Sequence, residues 1–494
     1  MISSPPHPRF ISSTILLGSF SIFNMLLGFG GIVIVTRHFT TEIFGAYTLI
    51  LVVVSFLCQI SALGLDMSIS KFIATAKDDS SKERLLSTAV IMRIGSILLA
   101  CLFCWFGGRF LILLFGKSLA PDFLAYIPLL FVMESLRTLF KSLLQGSLLF
   151  VRIGFTDLFG NSLNFILLFV VVYVLKGGIT WLILAKTFSS FIACTFAFLS
   201  IPIKKRLFFH WNFFKELIKF GFPLQINDIL SFINSRIDTL VVAALLGPSG
   251  IALYEIARKI PDSLRLLYDP FRQVYYPFLA KWYALDDKRQ ADRLVNDSTR
   301  FVAFFTLFGT AITVLFSEDI IRLLFSEKYL PSAPAFILLM INLSIALVSN
   351  VMGTTLVAVG DPQKPMIINI FNAIASWLGS ILFIPAFGII GAAIANTSGT
   401  ALTYPPTIYF LRKKIDFKNA MYLKPAFLFC TWSLLVFLIK PDSFLLKIGF
   451  LGIFLVASVF LSIVTKADIV LLVEGSGITS WKPLHKLGMW ISKL

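Results

Sequence analysis

The sequence predicts an all-α polytopic membrane protein with about 14 transmembrane helices, built as two six-helix lobes related by pseudo-two-fold symmetry plus two C-terminal helices. Three observations predict it. The 494-residue chain is 57% hydrophobic, with a mean hydropathy of +0.88, and only 14% of its residues are charged, against about a quarter in an average soluble domain. Its apolar residues fall in long runs broken by charged or Pro/Gly segments. The two halves also repeat a pattern at an offset of roughly 207–210 residues. This composition excludes a soluble globular enzyme.

A bilayer crossing needs about 20 predominantly apolar residues. Such runs stand near 11–35, 44–66, 85–107, 122–146, 157–175 and 179–200, then near 221–246, 251–277, 299–325, 332–357, 365–386 and 389–411, with two more near 425–440 and 445–465. They define an N-terminal lobe of residues 1–205, a C-terminal lobe of residues 206–415, and a segment 416–494 with two additional spans and a cytoplasmic amphipathic tail. The tail carries Trp481, Lys482, Lys486, Trp490 and Lys493, a mixture suited to the membrane surface. No loop exceeds roughly 20 residues, which leaves no room for a soluble catalytic or nucleotide-binding domain. The polar, Pro-rich start before the first span lacks the cleavage pattern of a signal peptide.

Basic residues in short loops are retained on the cytoplasmic side during insertion. One set of alternate loops and termini holds about 26 Lys and Arg, among them Lys204, Lys205, Arg206, Arg412, Lys413 and Lys414, and the opposite set holds about 8. Both termini are therefore expected in the cytoplasm, in a multi-pass protein of the cell inner membrane. Much of the +17 net charge is a topology signal, and no nucleic-acid partner is implied.

The remaining cations fall inside predicted spans: Arg93, Arg137, Lys141, Lys186, Arg236, Arg258, Lys259, Arg265 and Arg272. A cation at the bilayer centre costs at least about 2.5–3.5 kcal/mol, so these side chains should face a bundle interior or a watery cavity. In the eighth span Glu255, Arg258, Asp262, Arg265, Asp269 and Arg272 follow helical steps of three and four, which on one continuous helix confines them to an arc of about 100°. The fourth span repeats the pattern with Glu134, Arg137 and Lys141. Two readings stay open: structural ion bridges within and between helices, or, given the positive excess, a cavity for an anionic ligand.

The repeat sets Phe44–Tyr47 against Ile251–Tyr254, Lys71–Ala74 against Pro277–Ala280, Leu114–Phe115 with Pro121 against Leu324–Phe325 with Pro331, and Gly178–Ile179 against Gly388–Ile389. Six spans per half insert both halves in the same orientation, hence a pseudo-two-fold along the membrane normal. The run Asn234–Leu240, then Leu245–Pro248, Tyr254, Ala257–Ile260 and Pro277 resembles the start of the second lobe in bacterial oligosaccharide flippases. These are the Wzx-type polysaccharide exporters of the multidrug/oligosaccharidyl-lipid/polysaccharide (MOP) superfamily, and the six-plus-six-plus-two layout resembles theirs over nearly the whole chain.

The resemblance implies a translocase, not an enzyme, that moves undecaprenyl-diphosphate-linked oligosaccharide across the cytoplasmic membrane by alternating access, for O-antigen, capsule or exopolysaccharide synthesis. Its partners would be that lipid-linked oligosaccharide, membrane lipids, a polysaccharide polymerase and glycosyltransferases. The nine membrane-embedded cations would then form the substrate-binding cavity, since Arg suits forked hydrogen bonding to phosphate. Gln59, Asn227, Asn234, Tyr254 and Tyr275 would either meet sugar hydroxyls or serve as packing between helices. A lipid II flippase and a multidrug or cation antiporter of the same superfamily are the alternatives. A polymerase or ligase would need a larger outer loop than any present.

No cofactor is implied. Gly116-Lys117-Ser118 imitates the end of a phosphate-binding loop, but Leu111 stands where that motif needs glycine. Coupling to Na⁺ or H⁺ would fall on Asp228, Asp238, Asn369, Asn372 and Asn396, with ordinary interhelical hydrogen bonding as the competing reading. The five Cys all lie in predicted spans, so a disulfide framework is not expected, and the four His have no metal-ligand spacing.

Overall fold

The computed structural model describes residues 8–76, 78–115, 126–203, 208–266, 268–361 and 363–464; the side chains of 8–19, 103–115, 227, 234 and 273 lie outside that description. The amphipathic tail, the Gly116–Ser118 tripeptide and the Asn227 and Asn234 side chains therefore fall outside the described residues. Everything regular among them is helical. In chain order the helices are α1 (Pro8–His38), α2 (Thr41–Ser61), α3 (Leu65–Thr75), α4 (Asp79–Phe115), α5 (Tyr126–Gly146), α6 (Phe150–Val170), α7 (Ile179–Leu199), α8 (Trp211–Arg265), α9 (Tyr268–Ala284), α10 (Lys288–Leu324), α11 (Ala333–Ala358), α12 (Gln363–Leu402), α13 (Tyr404–Arg412), α14 (Ala420–Ile439) and α15 (Phe444–Phe460).

Ten helical segments among the described residues are long and apolar enough to cross a membrane. Two of them, Ser235–Ala284 and Gln363–Arg412, run for 50 residues, more than twice the length of about 20 that one crossing needs. Each is broken by a glycine with positive φ, Gly247 at 73° and Gly388 at 59°, where a side chain would be strained. The helix α5, with Glu134, Arg137 and Lys141, and the 17-residue α15 are not among the ten.

One expectation is corrected. The eighth span, read as a single helix over 251–277, is divided: α8 ends at Arg265 and α9 begins at Tyr268. Pro270 supplies the reason, because its ring collides with the carbonyl four residues earlier and it offers no N–H to continue the helix. The six charges from Glu255 to Arg272 therefore do not share one helical face.

By packing, the chain forms two compact units, one of Met1–Glu255 with Leu324–Tyr329 and one of Ile256–Leu323 with Leu330–Leu494. This division falls at 255–256, whereas the lobe boundary expected from span counting falls at 205–206.

In the first unit α5 packs on α3 and α7, and α6 on α1 and α7, around Leu65, Ile69, Leu85, Leu139, Leu143 and Ala197. The α2–α3 break is fixed by Gln225 of α8, whose amide oxygen accepts the Gly64 N–H at 2.6 Å and whose NH₂ donates to the Gln59 carbonyl at 2.6 Å. Both orphan backbone groups of the interrupted helix are thereby satisfied. A Cβ on Gly64, itself at φ 66°, would stand 2.0 Å from the Gly221 carbonyl oxygen, and one on Gly45 would stand 1.8 Å from that of Pro248. Asp78 caps α4: its carboxylate accepts the Ser81 N–H and the Ser80 and Ser81 hydroxyls. These bonds hold its pKa down at about 2, so the cap is complete above the ordinary carboxylate range and is lost as the pH falls through 2.

In the second unit α11 packs on α9, α12 and α13. Helices α14 and α15 close on α10 through Phe304, Leu307, Trp432, Phe450 and Phe454, with the Trp432 indole N–H donating to the Phe450 carbonyl at 2.8 Å. Beyond these contacts lie exposed apolar side chains such as Phe437 at 70% and Phe460 at 85%, as lipid-facing surfaces require.

Gly64→Ala is expected to destabilise the protein by more than about 2 kcal/mol, because strained backbone and steric overlap add. Gly178→Ala, where nothing lies within 4 Å of the new Cβ, should be close to neutral. Thermal unfolding of the two variants in detergent measures the contrast.

Candidate functional site

Of the nine cations expected within spans, six have a carboxylate partner alone, Arg265 and Arg272 line a cavity, and Lys259 is half-buried. In the first unit, Glu134 on α5 takes a two-pronged bond from Arg137, 2.7 Å from Nη2 and 2.9 Å from Nε. Its other oxygen accepts the Ser190 hydroxyl at 2.7 Å and faces the Lys186 ammonium at 3.3 Å. Arg137 also reaches Asp157 on α6 at 3.2 Å, and Lys141 binds the same carboxylate at 2.7 Å. Three cations and two carboxylates thus form one network across α5, α6 and α7. Half-buried or better, each charge is satisfied by the next, as burial demands.

Arg93 on α4 is fully buried and pairs with Asp66 on α3. Its Nε and Nη1 have no hydrogen-bond partner among the described residues. Arg236 lies 3.2 Å from Glu255, which also accepts the Thr239 hydroxyl at 3.1 Å.

In the second unit Arg258, 9% exposed, binds Asp262 one turn on at 2.9 Å. Lys259 is half-buried, and its carbonyl accepts the Ser263 hydroxyl. Arg265 and Arg272 are different. They face one cavity of about 360 Å³, with Ser349, Asn350 and Thr354 from α11 and Asn369 from α12. Arg265 is exposed and has no ion-pair partner among the described residues. Arg272 has only Asp269 at 3.6 Å, both side chains more than half exposed, a geometry worth little as an ion pair. Arg272 also lines an adjoining cavity of about 330 Å³ with Tyr276 and Thr354. Two guanidinium groups beside amides and hydroxyls can bind an oxyanion by charge-assisted, forked hydrogen bonds.

The residues expected to couple a cation are divided between the two units. Asp228 and Asp238 belong to the first unit, and Asn369, Asn372 and Asn396 to the second. Asp238, 4% exposed, accepts the Tyr254 hydroxyl at 2.6 Å and the Thr239 N–H at 2.7 Å. Asn372 accepts the Ser376 hydroxyl at 3.3 Å, and Asn396 accepts the Asn342 amide at 3.1 Å. Tyr254 and Tyr275 are buried, the latter bonded to Thr355 at 2.6 Å. No group of three or more His, Cys, Asp and Glu among the described residues could hold a metal ion.

Sequence reasoning missed Gln225 and the α11 face of Asn350, Gly353 and Thr354. The second carried a signal: polar or small residues at steps of three and four inside an apolar span.

Comparison with known proteins bears on this arrangement. Residues 34–334 match the model of the family described as polysaccharide biosynthesis protein. The chain belongs to the polysaccharide biosynthesis protein family. Among its relatives in sequence is the capsular polysaccharide biosynthesis protein CapF of Staphylococcus aureus, 23% identical over 200 residues, or 40% of this chain and 50% of CapF. The chain thus spans half the length of that relative. The probable low-salt glycan biosynthesis flippase Agl15 of Haloferax volcanii is 21% identical over 82% of this chain and 84% of that protein. In fold, the family member matches the lipid II flippase MurJ in an inward closed conformation, with a TM-score of 0.74 at 19% identity, covering 90% of this chain and 98% of MurJ. The expected resemblance to Wzx-type proteins holds: the lipopolysaccharide biosynthesis protein WzxC of Escherichia coli is 23% identical over 76% of this chain and 74% of that protein. Family and structural neighbours are flippases and transporters, not enzymes.

Glu134→Gln is expected to destabilise this family member by about 3 kcal/mol, because Lys186 and part of Arg137 lose their counter-charge. Adding Lys186→Met should recover part of that loss. Unfolding midpoints of the two single variants and the double variant measure the coupling.

Proposed function

We propose that this protein flips undecaprenyl-diphosphate-linked oligosaccharide from the cytoplasmic to the outer leaflet of the cell inner membrane by alternating access, supplying polysaccharide synthesis. The observation that carries the reading is the pair Arg265 and Arg272 on one cavity, where Arg272 has only the exposed Asp269 at 3.6 Å, while Arg137, Lys141, Lys186 and Arg258 are held by nearer acids. A diphosphate cannot enter hydrocarbon with its charge uncompensated, and two arginines lower that barrier. Asn350, Asn369, Ser349 and Thr354 on the same cavity offer the amide and hydroxyl groups that sugar hydroxyls need.

Family membership supports the polysaccharide context, and the name of Agl15 supports the flipping step. The lipid II and drug-extrusion alternatives are not favoured. The lobes 1–205 and 206–415 would be the rocking bodies, with both termini cytoplasmic. Product would pass outside to a polymerase, and glycosyltransferases inside would supply substrate. The driving force would be an ion gradient acting through Asp228 or Asp238 and the α12 amides, or mass action.

The test is leaflet inversion of a labelled undecaprenyl-diphosphate oligosaccharide in proteoliposomes. Wild type should invert the label, and Arg265→Gln/Arg272→Gln should lose roughly tenfold or more in rate, while Arg272→Lys retains part of it. Unchanged inversion by a folded double variant would overturn the assignment of these two residues. Absence of inversion by folded wild type, across several glycans and imposed gradients, would overturn the function.

A further inference from the structure

A larger cavity, of about 770 Å³, lies in the second unit at one end of the α10–α14–α15 group. It shares no lining residue with the Arg265–Arg272 cavity. Its floor is built. Asn296 of α10 donates to the Asp416 carbonyl and accepts the Lys418 N–H, both at 2.9 Å, and Asp292 accepts the Asp416 N–H at 3.0 Å. These bonds pin the segment leading into α14 onto the first turns of α10. Arg300, mostly buried, joins the floor to the end of α15 through the Ile463 carbonyl at 3.2 Å and holds Asp297 at 3.3 Å.

The lining holds five cations and three carboxylates. Asp297 is engaged by Arg293 and Arg300, Asp292 accepts a backbone N–H, and Asp416 is exposed, so the lining carries two positive charges in excess. That leaves Arg289, Lys418 and Lys424 with no carboxylate in ion-pair reach among the described residues; Lys424 meets only the Leu461 carbonyl, at 3.5 Å. Apolar side chains, Phe301, Met421, Pro425 and Ile463, line the same cavity beside these cations. The level in the membrane is also informative. α14 enters its apolar stretch at Ala420 and α15 leaves its own at Phe460, and Leu423 and Phe427 just beyond are exposed at 50% and 66%. The cavity therefore stands where hydrocarbon gives way to headgroups.

We propose that this cavity binds the phosphate-bearing headgroup of an anionic membrane lipid. Arg289, Lys418 and Lys424 meet the phosphate, and the apolar side chains meet the glycerol and first methylenes. Basic pockets between membrane helices have the chemistry to select such headgroups. A soluble phosphate compound shares the phosphate chemistry, but the apolar lining and the position beside lipid-facing side chains favour the lipid.

The experiment is native mass spectrometry of the full chain in detergent, titrated with phosphatidylglycerol or phosphatidylcholine, with inorganic phosphate as competitor at constant ionic strength. Wild type should retain phosphatidylglycerol selectively and keep it in phosphate. Arg289→Gln/Lys418→Gln/Lys424→Gln should lose roughly tenfold or more in retention. Lys281→Gln/Lys413→Gln/Lys414→Gln, with the same change in net charge elsewhere, should not. The single change Lys418→Glu, at an exposed side chain, should lose about fivefold or more and keeps the test open if the triple variant fails to fold. Equal retention of both lipids, equal losses in the two triple variants, or displacement by phosphate would each overturn the proposal. The readout involves no transport, so its failure is distinct from failure of the flipping assay.

Discussion

A charge inside a bilayer must be paired or hydrated, and the membrane-embedded charges of this protein follow from that one constraint. The first unit meets it by pairing. Glu134, Arg137, Lys141, Asp157 and Lys186 tie α5, α6 and α7 together, and Arg93 binds Asp66 within the apolar core. Such networks fix which helices meet, since any other register would leave a buried charge alone. The second unit meets the constraint at Arg265 and Arg272 by opening a cavity. The same residue type therefore has two fates, decided by whether an acid stands close by, on its own helix as for Arg258 or on a facing one as for Arg93.

Close backbone approach is the second device. The α2–α3 break and the kink before Pro248 both bring backbone against backbone, at Gly64 with Gly221 and at Gly45 with Pro248. Gln225 completes the first contact by satisfying the amide and carbonyl that the break exposes. Small residues at such points allow dispersion contacts and hydrogen bonds to replace the hydrophobic drive that a lipid solvent does not provide.

Much of this was legible in the sequence. Composition alone implied a helical membrane protein, and the runs around Asn234–Leu240 and Ala257–Ile260 pointed to the family. The spacing of Glu134, Arg137 and Lys141 marked a charged face on α5, but Asp157 lies on another helix, and periodicity carries no information about what stands opposite. The break after Arg265 was written in Pro270 and was overridden by the apparent continuity of the charge pattern. Gln225 was not legible, since its role depends on two backbone groups some 160 residues away in sequence. The cavity at α10 and α14 was equally hidden, because Arg289 and Lys424 read in sequence only as loop and span-end charges.

The central claim is that Arg265 and Arg272 are available to an anion while the α5–α7 cations are not. Single cysteines at positions 265, 272, 141 and 186, placed in a cysteine-free chain in membranes, test it through their rates of reaction with anionic and cationic thiosulfonate reagents of similar size. With the other arginine left in place, positions 265 and 272 should react faster with the anionic reagent and be protected by lipid-diphosphate substrate, and positions 141 and 186 should react slowly with both. Faster reaction at 141 and 186, or preference for the cationic reagent at 265 and 272, would contradict the account.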